Sequence, residues 1–374
     1  MSRPHSSAMF RAIPIALLIT QLIGPTPGIT QSAVGGLTKE ILADGVYLFR
    51  APSTLDLWTA TNAVVIVNDE DVTVFDSFTR AGTARLVIAE IKKITDKPVR
   101  TLINSHWHQD HWSGNGEFVK AYPGLRIVAT TGTRDYMTRM GPGFFAGSLD
   151  RSAVALRATL DTAIRTGKLA DGTALTADAR REREREIEET AAFGREVRGL
   201  ARVLPNVAFR DTLVLWSGRR EFRLYSATGD ATASAVLHLP AERLLVTGDV
   251  LVAPETGDGH PPWTTNSYSI TPWLASLRAL DALDVQQIVP GQGGVFHDKR
   301  FLRLTIEVFA AIIGQVHGAL ERGVVGVDQV QAAVNVDDLG RRYASNAALP
   351  DSFRPWVASL VRRVYQESLD GLAR

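Results

Sequence analysis

Ser105-His106-Trp107-His108-Gln109-Asp110-His111 is the stretch on which the reading of this chain turns. Three histidines and an aspartate fall within six residues, in a segment too polar to be core. On an extended loop His106 and His108, two apart, can converge on one ion, while Asp110 and His111 turn toward a second position. Imidazole nitrogen and carboxylate oxygen are donors that zinc favours. Residues 99–104 just upstream, with Val99, Leu102 and Ile103, predict a short buried strand that delivers this loop to the end of a sheet.

Before that strand, Ala81–Ile94 carries Leu86, Ile88, Ile91 and Ile94 with Lys92 and Lys93 between them, an amphipathic helix that Pro98 closes. Val46–Arg50, residues 63–67 and Val72–Phe75, separated by turns such as Asn68-Asp69-Glu70-Asp71, predict an antiparallel meander. Beyond the loop, Arg126–Thr130 is a further strand, and helix resumes near Thr133. Residues 152–201 show long helical periodicity with alternating charges from Arg180 to Glu186, the pattern of a solvated helix face. With a turn near Asp171-Gly172, this segment reads as a helical hairpin inserted between two β-rich halves. Strands return at residues 213–216 and 221–225, at Ser234–Leu239 and at residues 244–247. A helix over 272–283, a strand at Gln287–Val289 and a mostly helical tail follow, with elements at 327–336 and 353–369. Two β-rich halves with helices between them suit an α/β (α+β) chain folded as a two-sheet sandwich.

At 374 residues and 45% hydrophobic content the chain can bury a large core. Its 41 basic and 40 acidic residues leave a net charge of +1, so no broad field attracts a nucleic-acid backbone. The expected partner is a small-molecule substrate, with no nucleic acid. Cysteine is absent, which removes disulfides and thiolate ligands and leaves any metal to His, Asp or Glu. At the N-terminus, a short basic region with Arg3 and Arg11 precedes an apolar run over 13–23, followed by small and polar residues over 24–33. The run is too short for an ordinary membrane span and suits a signal-peptide core. The expectation is a leader over 1–33, cleaved between Gly24 and Gly36, a secreted or periplasmic protein, and no stable membrane span once the leader is gone.

His106-x-His108-x-Asp110-His111 resembles the zinc signature of the metallo-β-lactamase superfamily, and the resemblance continues through Thr247-Gly248-Asp249 and Val289-Pro290-Gly291. It implies a four-layer αββα metallo-β-lactamase sandwich over 37–300, with a helical-hairpin insertion over about 150–203 and a C-terminal helical extension over 301–374. It also implies one or two Zn2+ ions: His106 and His108 on the first, Asp110 and His111 on the second, Asp249 between them. Metal-assisted hydrolysis of a small ester, lactone, amide or thioester would follow, with zinc lowering the pKa of bound water from 15.7 to about 7. Asp110 would be the catalytic residue that orients this water and shuttles its proton.

Two positions depart from the pattern. Asp230, in Thr228-Gly229-Asp230-Ala231, stands where the family has a third histidine on the first ion. A carboxylate is a competent zinc ligand, although a Gly-Asp pair is also ordinary turn chemistry. Gln292 stands where the family has its last histidine, and a neutral amide is a poor zinc donor, so the second position should be weakened unless His297 or His260 reaches back. These losses keep open a second reading, a degenerate member that binds metal or ligand without turnover. His238 reads as structural, His317 as remote and His5 as part of the leader. Trp58, Trp112, Phe144, Phe145 and Trp263 are either pocket lining or core. Residues 244–277 contain no Lys or Arg, whereas an enzyme gripping a substrate carboxylate benefits from a cation there, which the helical insertion could supply.

Overall fold

The computed structural model describes residues 32–34, 36–51, 61–170, 172–253, 268–343 and 353–372. Of the expected leader over 1–33, residues 1–31 lie outside the described residues, as do Trp58, His260 and Trp263, while 32 and 33 belong to the first strand. Eight strands form the first sheet in sequence order: β1 (Ser32–Val34), β2 (Leu37–Ala43), β3 (Val46–Arg50), β4 (Asn62–Val67), β5 (Val72–Phe75), β6 (Val99–Ile103), β7 (Arg126–Thr130) and β8 (Val207–Phe209). The first five pair antiparallel, as short turns permit. From β5 to β8 the pairing is parallel, and each step needs a crossover. The crossovers are α1 (Ala81–Ile94), then α2 (Gln109–Trp112) with α3 (Asn115–Ala121), and then the long hairpin of α4 (Thr131–Thr166) and α5 (Ala177–Arg198). The second sheet holds β9 (Thr212–Ser217), β10 (Arg220–Ala227), β11 (Ser234–Leu239), β12 (Leu244–Val246) and β13 (Gln287–Val289), in the order β13-β12-β11-β10-β9.

Strand residues alternate between two buried faces, which is why β4 and β5 are buried along almost their whole length. Val65, Val74 and Leu102 point outward onto Val87 and Ile91 of α1 and Phe118 of α3. Val64, Ile66, Ile103 and Val128 point inward and pack against Phe222, Leu224, Leu237 and Val246 of the second sheet. The far face of that sheet, Val236, Leu245 and Ile288, is covered by α6 (Ile270–Asp281), α7 (Arg300–Glu321) and α10 (Phe353–Leu372). The result is the four-layer αββα sandwich. α8 (Val327–Ala332) and α9 (Asp337–Tyr343) join the same outer layer through Val330 and Tyr343.

Three boundaries differ from the expectation. The folded sheet starts at Ser32, ahead of 37, because β1 is an edge strand made by backbone pairing to β2 and has no apolar alternation of its own. The helical segment between the halves begins at Thr131, directly after β7, where the Thr130 hydroxyl accepts the Thr133 N–H and caps α4. Gly141-Pro142-Gly143 breaks the helical pattern in the sequence, yet the backbone continues as one helix through it. The chain reverses over 167–176, with Gly167 in the left-handed region at φ 69° and the Leu175 N–H donating to Gly167 O. The tail beyond 301 is no appendage: its helices bury Leu302, Val308, Phe309, Ile312, Trp356 and Leu360 in one core with β11 to β13. Among the described residues α7 alone is long and apolar enough to cross a membrane, and its apolar face is spent on that core.

Candidate metal centre

The end of β6 carries the chain into Asn104 and Ser105, and the His108 backbone, still extended, caps the short helix α2. A buried network fixes this turn. Asp76, which follows β5, accepts from Ser105 N and Ser105 Oγ, both at 2.7 Å, and its Oδ2 lies 2.7 Å from His111 Nδ1. Asn104 and Asn115 exchange side-chain hydrogen bonds at 2.8 and 3.0 Å, and Ser77 Oγ donates to Asn115 Oδ1. These contacts decide which ring nitrogens face inward. The Ser105 hydroxyl gives its one proton to Asp76, so its oxygen receives the Nδ1–H of His106 at 3.0 Å. The lone pair of His106 is thereby left on Nε2. His111 is turned the same way, its Nδ1 on Asp76 and its Nε2 inward.

Two loops of the second sheet close the site from the opposite side. After β10, Asp230 is brought under His106 and His108, with Ala235 N donating to Ser105 O at 2.6 Å to lock the loop to the histidine turn. Gly229 is required there, since a Cβ would lie 2.8 Å from Val250 Cα. After β12, Gly248 takes φ +51° and presents Asp249. His108 Nδ1 is 3.1 Å from Asp230 Oδ2, and His111 Nε2 is 2.9 Å from Asp110 Oδ2 and 3.4 Å from Asp249 Oδ1. His106 Nε2 is fully buried without a hydrogen-bond partner, 3.8 Å from Asp249 Oδ2 and 3.9 Å from Asp230 Oδ1. Candidate ligand atoms fall into two sets, His106, His108, Asp230 and Asp249, and Asp110, His111 and Asp249, each within 4.8 Å of one another. All six residues singled out in the sequence therefore meet at one place.

Three buried carboxylates facing three imidazoles make an electrostatically strained pocket without a cation. Burial pushes the Asp230 carboxyl up to about 6 against the pull of His108. Burial also holds His106 well below the usual imidazole range. For His111, the carboxylates of Asp110, Asp249 and Asp76 overcome burial and raise it well above that range. A buried Nε2 with its lone pair free beside clustered carboxylates is the donor set of a divalent cation, and these residues fit one.

The remaining expectations separate. His297 is exposed and belongs to neither set, and exposed His317 lies on α7. His238 is buried on β11, away from the centre. Trp112 is core, 1% exposed, with Nε1 donating to Trp107 O. The side chains of Phe144 and Phe145 lie outside the described residues. A different row of rings leads off the centre: Trp107 meets the His108 ring edge-on, Tyr136 of α4 stacks on Trp107 at 5.4 Å, and exposed Arg139 sits 4.5 Å over Tyr136. The hairpin thus places Arg139 at the outer end of this row of rings, beyond Tyr136.

Residues 56–292, more than half of the chain, match the family described as "Metallo-beta-lactamase superfamily". The chain belongs to that superfamily. Within it, a curated relative is the linear primary-alkylsulfatase of Pseudomonas sp. (strain ATCC 19151), 25% identical over 268 residues, covering 70% of this chain and 48% of that protein. Among solved structures, the stereoselective inverting sec-alkylsulfatase Pisa1 from Pseudomonas sp. aligns with a TM-score of 0.59 and 16% identity, over 88% of this chain and 50% of that one. A metallo-β-lactamase from Pontibacter korlensis aligns with a TM-score of 0.49 and 15% identity, over 73% of this chain and 99% of that one. The chain spans about half the length of the two alkylsulfatases it matches.

Asp76 is the site residue that sequence reasoning missed. The available signal was a carboxylate directly after the strand pattern Val72-Thr73-Val74-Phe75; the structure adds that Asp76 is held at φ 62°, in the left-handed region. Asp76→Ala would leave Ser105 N–H buried and unmet and release both the His111 ring and the Ser105 hydroxyl that holds His106 Nδ1, so that the ligand nitrogen of His106 is no longer fixed inward. Partners of this kind are worth about 10–100-fold in metal affinity, and chelator competition on the purified variant should show a weakening of that size.

Proposed function

We propose that this chain is a zinc-dependent hydrolase of small esters, with alkyl sulfate esters as its substrate class. The observation that carries the reading is the buried His/Asp cluster in which two ligand sets share Asp249. The sulfate-ester choice is supported by the curated relative, whose name is that of an alkylsulfatase.

His106, His108, Asp230 and Asp249 would hold the ion. Zinc, when bound, supplies Lewis acidity toward the ester oxygens and acidifies water to a pKa of about 7. Asp110 is the proton-handling group: its Oδ2 faces the centre and accepts from Thr61 Oγ1 at 3.3 Å. Asp76 fixes the His111 ring, and the Ser105 hydroxyl fixes the His106 tautomer. Trp107 and Tyr136 offer an apolar wall to an alkyl group, and Arg139 offers a positive charge to an anionic ester, the cation that residues 244–277 lack.

The test is a panel of a primary alkyl sulfate, a carboxylic ester, a lactone and a β-lactam offered to the purified zinc-loaded chain. Release of inorganic sulfate, abolished by a chelator and restored by zinc, is the expected result. Turnover of another panel member would move the substrate class. No turnover by a chain that holds zinc would instead establish the degenerate, non-hydrolytic reading.

A further inference from the structure

The two ligand sets are unequal. The first has four members, the second has three, and one of those is shared. Facing the second set is Gln292, buried at 7% exposure, whose Nε2 donates to Asp110 Oδ2 at 3.3 Å and to Asp249 Oδ2 at 3.2 Å. Its backbone is pinned on both sides. Thr61 pairs with it across an antiparallel bridge, and Ala253 N donates to Gln292 O at 3.1 Å. Asn62 N donates to Gly291 O at 2.9 Å, and Asn62 Nδ2 reaches Pro290 O and Gly293 O.

An amide NH2 has two donors and no lone pair for a cation. Here both protons are used on the very carboxylates that a second ion would need. Turned over, the group would present a neutral carbonyl oxygen, a donor that suits hard cations such as magnesium or calcium better than zinc. Among the described residues no further His, Asp or Glu joins the second set, and His297 points its exposed side chain elsewhere.

We infer that Gln292 makes this a single-ion centre, its amide standing in for a second cation by holding Asp110 and Asp249 with hydrogen bonds. The ion resides at His106, His108, Asp230 and Asp249. Asp110 then stays outside the ion's ligand set, its Oδ2 held by Gln292 and Thr61. This inference rests on the zinc reading above.

Metal content by native mass spectrometry and elemental analysis tests it on the full chain, as wild type, Gln292→His and Gln292→Ala, each checked for fold by circular dichroism. The wild type and Gln292→Ala should each hold about one zinc, whereas Gln292→His, which places an imidazole donor beside both carboxylates, should hold about two. Two zinc ions in the wild type falling to one in Gln292→Ala would make the amide a ligand and overturn the inference. A Gln292→His protein still holding one would overturn it as well, because the side chain would not face a metal position. In either case sulfate release by the wild type would leave the functional reading standing. A wild-type chain that takes up no zinc at all would sink both.

Discussion

His106→Ala and His108→Ala should each yield a folded protein that holds no zinc at the four-membered set and hydrolyses its substrate no faster than the metal-stripped wild type. Neither imidazole belongs to any of the apolar clusters between and outside the sheets, so the packing that maintains the sandwich survives both changes. His106 is fully buried and turned inward by the Ser105 hydroxyl, and its Nε2 has no protein partner to lose. His108 is the principal counterpart of buried Asp230, 3.1 Å away. Its removal leaves that carboxylate beside Asp249 with less positive compensation, and Asp230 takes up a proton more readily. Both variants therefore lose the ion for a local reason. The unfolding midpoint of the zinc-free proteins should stay within a few degrees of zinc-free wild type, since about 1 kcal/mol corresponds to about 2–4 °C in a large domain. Elemental analysis, calorimetry and the sulfate-release assay read the three quantities separately. Full zinc and full activity in both variants would show that the site lies elsewhere.

Gly291→Ala should be as damaging as loss of a ligand, although it removes none. A Cβ at this position would collide with Asp249 Oδ1 and lie 2.6 Å from Gly248 C and 2.8 Å from Asp249 N. Two of those atoms are backbone and cannot swing aside. The third belongs to the carboxylate that both ligand sets share. The contact is enforced from both sides, because Gly291 N donates to Gly248 O and Thr247 N to Val289 O, both at 2.9 Å. Overpacking in a tight interior costs about 1–3 kcal/mol, and here the movement that relieves it displaces Asp249 and the neighbouring Gln292. The expected result is a lowered unfolding midpoint together with loss of bound zinc. A variant with wild-type metal content and thermal stability would mean that the two loops are further apart in solution than the close approach of 248 and 291 requires.

How much of this was legible beforehand depended on how local the deciding physics is. The boundaries of β3, β5, β7, β11, β13 and α1 could be read directly, because side-chain periodicity within a single element determines them. β2 carries Lys39 and Glu40 between its apolar residues, and β8 is a three-residue edge, so both depend on a neighbouring strand for their existence. Gln292 was readable as a residue out of pattern, but its hydrogen bonds to two aspartates were not.

By itself the sequence determined the two-sheet class, the histidine loop and the donor types, since apolar periodicity and a dense His/Asp cluster act over a few residues at a time and a chain without cysteine leaves only His, Asp and Glu as donors. Only the tertiary structure decided that Asp230 lies 3.1 Å from His108 and that Asp76 orients His111 across 35 residues of chain. The same holds for the C-terminal helices, which share one core with the second sheet and do not stand apart from it. These facts depend on register and on the packing of one sheet against another. Such contacts join segments far apart in the chain, where no local pattern carries the information and burial of the pair is what selects it.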